Sequence, residues 1–263
     1  MDITTVIGLL LGLLSLGVGF LLEGGHLDAL WAPTAALIVF GGTFGTVIVA
    51  TPIEQLKEVG KTLKISFTNK AKDPMDTINE LVSLATTARR EGILALEEKI
   101  ETYDDEFFKN GIRLVVDGVD PDLVRSMLET ELSFIEQRHE KGAQPLEQAG
   151  GFAPTMGIIG TVMGLVHVLG NLDDVSSLGP QIATAFIATL YGVASANVIY
   201  LPLATKLKNR SKQEVLIREL MIEGILSIQA GENPNILAQK LKAFLAPKLR
   251  QPKSEAGEAN VEA

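Results

Sequence analysis

Two otherwise apolar stretches of this sequence carry hydroxyl and amide side chains: Thr155 and Thr161 within residues 152–169, and Thr184, Thr189, Tyr191, Ser195 and Asn197 within 182–203. Polar groups in such surroundings must bond to protein or line a wetted space. A single threonine in an apolar helix ordinarily bonds the carbonyl four residues before it. A cluster has a second use, because hydroxyl and carbonyl oxygens at short range replace the water around a hard monovalent cation. Thr161 and Thr189 are the best candidates for transient sodium coordination, with Thr155, Tyr191 and Asn197 as further polar positions along an ion path.

Neither stretch contains Asp, Glu, Lys or Arg. A cation crossing apolar surroundings relies on a carboxylate to bind, release and exchange charge, so this chain supplies half of an ion path. His167 is read as an interfacial or packed residue rather than a proton carrier. The absence of Cys excludes disulfides and thiol-based metal or redox chemistry. No catalytic residues, no resident cofactor and no nucleic-acid partner are expected; Na+ or H+ enters only as the transported ion.

Gly157, Gly160 and Gly164 fall on one side of a helix and allow close backbone approach. That face packs within the monomer or oligomer, or else lines a space for a partner helix. Pro154 and Pro202 lie at ends of their stretches, where a missing backbone donor kinks or terminates a helix. Outside the apolar stretches, Ala88 to Glu98 places Arg89 and Arg90 about two turns from Glu97 and Glu98 if the segment is helical. The two readings are a solvated charged face and a charged docking surface.

The elements that position these residues follow from hydropathy. The chain's 46% hydrophobic content comes in blocks, and four are long enough to cross a bilayer as helices: residues 3–22, 29–50, 152–170 and 181–203. The first lacks a basic flank and a convincing cleavage site, so it reads as a span rather than a signal peptide. Net charge is −9, but the placement of the 23 basic residues decides orientation: thirteen lie between Lys57 and Lys141 and ten between Lys206 and Lys253. The short connections carry Glu23, Asp28, Asp173 and Asp174 and no basic residue. Basic segments resist translocation, so both long segments and both termini are expected in the cytoplasm.

The expected organisation is a first hairpin over 1–51, a cytoplasmic helical domain over 52–148, a second hairpin over 149–203, cytoplasmic helices over 204–250 and a disordered acidic tail over 251–263. Asp73-Pro74 and Asp120-Pro121 each supply an N-cap and a first-turn proline. Leu123, Val124, Met127, Leu128, Leu132 and Ile135 then form one apolar stripe. Ser211 with Glu214 has the capping-box pattern and is expected to open a helix ending near Gly231, and Asn233-Pro234 a further short one. Strand-type alternation is scarce, so the fold class is an all-α membrane protein with four spans in two hairpins and a helical insertion.

Taken in this order on these elements, the string Ala88 to Glu98, the run Ala153-Pro154-Thr155-Met156-Gly157 and the run Thr189-Leu190-Tyr191-Gly192 resemble the MotA/PomA/MotP family of flagellar motor stator subunits over nearly the whole chain. The resemblance implies a homopentamer in the bacterial inner membrane around two copies of a single-span MotB/PomB-type partner, which brings the missing aspartate. It implies that Arg89, Arg90, Glu97 and Glu98 engage the rotor protein FliG, and that Pro154 and Pro202 are functional prolines. Sodium-driven members are similar in having Thr at the positions of Thr161 and Thr189, Tyr-Gly after the latter, and Asn at Asn197. The expected function is cation conduction, with sodium favoured over protons, converted into torque. The rivals are an energy transducer like ExbB/TolQ, whose usual three spans differ from the four here, and a non-transporting membrane scaffold.

Overall fold

The structure, a computed structural model, describes residues 2–68, 73–170, 172, 175–247 and 250, with backbone alone at 175–177. The expected tail and the acidic pair Asp173 and Asp174 lie outside the described residues. In chain order the α-helices are α1 (Ile3–Leu22), α2 (Pro33–Ala36), α3 (Gly42–Ala50), α4 (Ile53–Ser66), α5 (Pro74–Glu91), α6 (Leu96–Ile100), α7 (Glu106–Val116), α8 (Pro121–Leu169), α9 (Val175–Ala194), α10 (Leu201–Gln229) and α11 (Pro234–Lys242). Among the described residues there is no strand. Four helical segments are long and apolar enough to cross a membrane: Ile3–Leu22, Leu27–Ala50, Pro121–Leu169 and Leu178–Gln229.

The chain divides into two compact units, Met1–Asn69 with Arg138–Asn209, and Lys70–Gln137 with Arg210–Ala263. In the first, α1 buries only Thr5 and exposes leucines and isoleucines around its circumference. A helix of that kind needs an apolar solvent. The second apolar segment is compound, with a 3-10 turn at Leu27–Leu30 and a π turn at Leu37–Gly41 joining α2 to α3. A second π turn, Ser195–Tyr200, joins α9 to α10 just before Pro202. Proline cannot donate to the carbonyl four residues back and its ring crowds it, so a widened turn there lets the helix continue.

The last segment and its π turn touch the other three. Ile187 and Ala188 pack with Ala32, Ala35 and Val39, while Gly12 of α1 faces the Val198 side chain. α8 is met along the glycine face described below. A smaller cluster joins Ala143 and Leu146 of α8 to Leu203, Ala204 and Leu207 of α10, with Leu63 and Phe67 against it.

The second unit has a continuous apolar core that includes Ile78 and Leu81 of α5, Leu96 of α6, Phe108 and Ile112 of α7, Leu128 of α8, Ile225 of α10 and Leu237 of α11. Its helices start where the sequence carries capping residues. Asp73 accepts from the Met75 amide at 3.0 Å, Asp105 from Phe107 at 3.1 Å, Asp120 from Asp122 at 3.0 Å and Asn233 from Asn235 at 2.9 Å. Each occupies one of the orphan amides of a first turn.

α8 is a single 49-residue helix that runs through the expected boundary at 148/149 and contains Pro145 and Pro154. Two expectations are corrected. Ser211 opens no helix, because α10 runs unbroken through it to Gln229, just short of Gly231 at φ +67°. A capping-box pattern acts only where the backbone has already left the helix, and nothing between Pro202 and Gln229 forces that. The stripe on α8 divides: Val124, Leu128, Leu132 and Ile135 are buried, whereas Leu123 and Met127 are exposed.

Candidate functional site

Gly157, Gly160 and Gly164 of α8 form a smooth strip because they recur at three- and four-residue spacing. The matching strip on α9 is Ala185, Ala188 and Gly192. A Cβ placed at Gly157 would lie 2.8 Å from the Ala188 carbonyl oxygen and 3.1 Å from the Thr189 Cα, and one at Gly164 would lie 2.6 Å from the Ala185 Cβ. At Gly192 the obstacle is the backbone of Ala153 and Gly157. The two helices therefore meet backbone to backbone, and α9 of the same chain fills the face that could have lined a space for a partner helix.

This close approach brings Thr161 and Thr189 together across the interface. Their Oγ1 atoms are 2.6 Å apart, and Thr161 Oγ1 also lies 2.9 Å from the Ala185 carbonyl oxygen and 3.1 Å from that of Gly157. Thr161 has one hydroxyl hydrogen for three oxygens. If it donates to one carbonyl, it accepts from Thr189, and lone pairs remain on the Thr189 hydroxyl and on the other carbonyl, each carbonyl also accepting an amide of its own helix. The result is a group of four oxygens, two side-chain and two main-chain, between half-buried helices. Oxygens of this kind suit a hard cation, and they carry no negative charge of their own. Among the described residues no cluster of His, Cys, Asp or Glu has the makings of a metal site.

The other expected path residues are placed differently. The exposed Thr155 hydroxyl donates to the Phe152 carbonyl of its own helix at 2.7 Å. Asn197 is exposed in the π turn and donates to the Val193 carbonyl at 2.9 Å. Tyr191 joins two segments instead: its hydroxyl donates to the Leu30 carbonyl and accepts from the Ala32 amide at 3.3 Å. Its ring stacks on Phe40 with centroids 6.0 Å apart. Pro154 lies within α8, beside the Ala153 and Gly157 contacts to Gly192, and Pro202 is exposed after the π turn. Sequence reading missed Ala185 and Ala188, and took Gly192 only as part of the run after Thr189, although the small-residue spacing of the three mirrors that of α8.

The charged motif is not one helix. α5 ends at Glu91, and Gly92 takes φ +91°, ψ 160°, a conformation that L side chains rarely adopt. A 3-10 turn at Ile93–Ala95 then leads into α6. Arg89 and Arg90 end one helix while Glu97 and Glu98 open the next, where basic and acidic residues complement the respective helix dipoles. All four are exposed, and Leu94 between them is 73% exposed.

Comparison with known proteins gives concordant matches. Residues 6–92 match the motility protein A N-terminal family, and residues 99–220 the MotA/TolQ/ExbB proton channel family. The chain is 42% identical to motility protein A of Bacillus subtilis (strain 168), covering 98% of this chain and 96% of that one. It is 38% identical to the chemotaxis protein PomA of Vibrio alginolyticus, covering 93% and 96%. Among solved structures it superposes on a chain of the flagellar MotAB stator complex from Bacillus subtilis with a TM-score of 0.90, 41% identity, and coverage of 95% and 98%. A chain of C. jejuni MotAB gives a TM-score of 0.91 at 31% identity, covering 96% and 100%.

Proposed function

This chain belongs to the motility protein A family of flagellar stator subunits, and on that premise we propose that it conducts sodium together with a single-span MotB/PomB-type partner and converts the flow into torque. The carrying observation is the Thr161–Thr189 contact at 2.6 Å beside the Ala185 carbonyl. Four uncharged oxygens complement a partner carboxylate: they replace ion hydration, and the acid supplies the charge. None of the four apolar stretches contains an acidic residue, which supports a partner that brings that acid.

In this reading five copies surround two partner helices in the inner membrane, with both termini cytoplasmic. Ions neutralise the partner carboxylates in turn, so that the ring steps around the dimer. One charge crossing 100 mV supplies about 2.3 kcal/mol before any concentration term. Arg89, Arg90, Glu97 and Glu98 pass the motion to FliG. Their exposure on two helix ends supports a docking role, since rim charges set encounter and register more than affinity. The N-terminal motility match over residues 6–92 favours this reading over an ExbB/TolQ-type transducer.

The test is swimming speed across sodium concentration at fixed pH, in cells relying on this subunit and its partner. Wild type should saturate with sodium and survive a protonophore when sodium is present. Thr161→Val and Thr189→Val should each raise the half-saturating sodium concentration by about tenfold or more, the order expected for losing one oxygen contact to a charged group. Speed indifferent to sodium and abolished by the protonophore would overturn the sodium assignment. Both variants swimming normally at every sodium concentration would instead favour a non-transporting role.

A further inference from the structure

α4 is tied at both ends to helices of the apolar set. Only two residues, Thr51 and Pro52, separate it from the end of α3 and turn the chain. At its other end, Ser66 O accepts from the Thr5 hydroxyl at 3.4 Å, and Phe67 O accepts from the Asp2 amide at 2.8 Å. Asp2 and Thr5 mark the first turn of α1. Where α1 and the α2–α3 segment form a spanning hairpin, the start of the first and the end of the second emerge on one membrane face. A 14-residue helix, about 21 Å long, that is tethered to both points runs along that face.

One side of α4 is committed to protein. Leu63 and Phe67 pack on the cluster of Leu146, Leu203 and Leu207. Gln55 donates to Lys141 O and, at 3.2 Å, to Gln144 Oε1. The other side carries Lys57, Lys61 and Lys64 at four- and three-residue spacing, all exposed and with no ion pair among the described residues. Ile53 and Ile65 flank them at 63% and 54% exposed. Glu54 and Glu58 are also exposed and occupy the neighbouring edge of the helix. Exposed isoleucines beside a lysine stripe, on a helix lying along a membrane face, are the composition of an interfacial helix. The apolar side chains enter the acyl boundary and the lysine stems snorkel to headgroup level.

We propose that the Lys57, Lys61 and Lys64 stripe of α4 binds the phosphates of anionic phospholipids in the leaflet at that face. The match is one of charge, three ammonium groups against headgroup phosphates, and of position, since the stripe is continuous with the membrane-crossing segments. The lipid then forms part of the rim of the subunit and holds α4 in plane between its two tethers. The site is independent of which ion the complex conducts.

The test uses the complete complex, purified with its partner from membranes and reconstituted in nanodiscs of phosphatidylcholine with a minority of phosphatidylglycerol. Lipid retained after delipidating washes is quantified by mass spectrometry. At roughly fivefold per lysine near an anionic surface, K57Q/K61Q/K64Q should reduce the phosphatidylglycerol-to-phosphatidylcholine retention ratio by at least tenfold. The single variant K61Q should give an intermediate loss, and K57R/K61R/K64R should keep the wild-type ratio. Millimolar inorganic phosphate should not displace the lipid, which separates a headgroup site from a free-anion site. Wild-type retention in the triple Gln variant overturns the proposal. So does displacement by phosphate, or a loss of lipid seen only when the subunits dissociate in native mass spectra, which would make the stripe a contact between copies.

Discussion

Gly157→Ala isolates the physics of the α8–α9 seam. The added methyl would lie 2.8 Å from the Ala188 carbonyl oxygen and 3.1 Å from the Thr189 Cα, both main-chain atoms with no side chain to swing away. Carbon atoms pack best at about 3.5–4.0 Å, so α9 must retreat by roughly half an ångström, a gap that forfeits about a quarter of each contact's attraction along the seam. Overpacking of this kind costs about 1–3 kcal/mol. Against it stands the gain of about 1 kcal/mol for replacing glycine by alanine within a helix. Gly151, six residues earlier in the same helix, has nothing within 4 Å of its Cβ position. Gly151→Ala therefore receives the propensity gain alone, and the difference between the two variants reports the clash. At about 2–4 °C per kcal/mol for a chain of this size, G157A should melt roughly 2–12 °C below G151A in thermal denaturation of the purified complex. The retreat of α9 also stretches the Thr161–Thr189 contact, so G157A should raise the sodium concentration needed for half-maximal swimming speed. If G157A melts at or above G151A with unchanged sodium dependence, the backbone seam does not set the threonine geometry.

Two further outcomes follow from other parts of the molecule. Tyr191→Phe keeps the stacking on Phe40 but removes the hydroxyl shared by Leu30 O and the Ala32 amide. It should cost about 1–3 kcal/mol through the unpaired backbone groups, read as a lower melting temperature, and a Y191F complex as stable as wild type would show that those groups find other partners. In the second unit, the Lys240 ammonium 2.5 Å away holds the Glu223 carboxylate below its ordinary range, with Arg125 adding to the effect. A lowered carboxylate pKa stabilises in full above the ordinary value of 4.5 and ceases to do so as pH falls through the lower folded value. The stability gap between wild type and Lys240→Met should therefore be full at pH 7 and close on acidification below about pH 4.5, measured by melting temperature; a gap constant with pH would assign it to packing.

Much of the architecture was legible because the signals are local. Asp73, Asp120 and Asn233 each cap within three residues of themselves, and the apolar stretches declare their length directly; Asp105 caps in the same way without a proline after it and was not singled out. Where a local signal needed context it misled. Ser211 has the capping-box spacing but sits in the middle of α10, and Arg89 to Glu98 looks like one charged helix until Gly92 turns left-handed. The two π turns left no signal that was read, although the second precedes Pro202. The Tyr191 bond to Leu30 O, made across 161 positions, likewise has no local signal.

By itself the sequence determined four apolar helices, the confinement of basic residues to two segments, and hydroxyls without a carboxylate in the apolar stretches. These are properties of composition and short-range periodicity. The tertiary structure decided which polar groups meet. Thr161 and Thr189 are 28 residues apart and touch because Gly157, Gly160 and Gly164 let α8 reach the backbone of α9, while Thr155 and Asn197 turn to their own helices. Helical periodicity tells which residues share a face, but the rotation and height of one helix against another come from the fit of small residues across the seam, which exists only once both are in place.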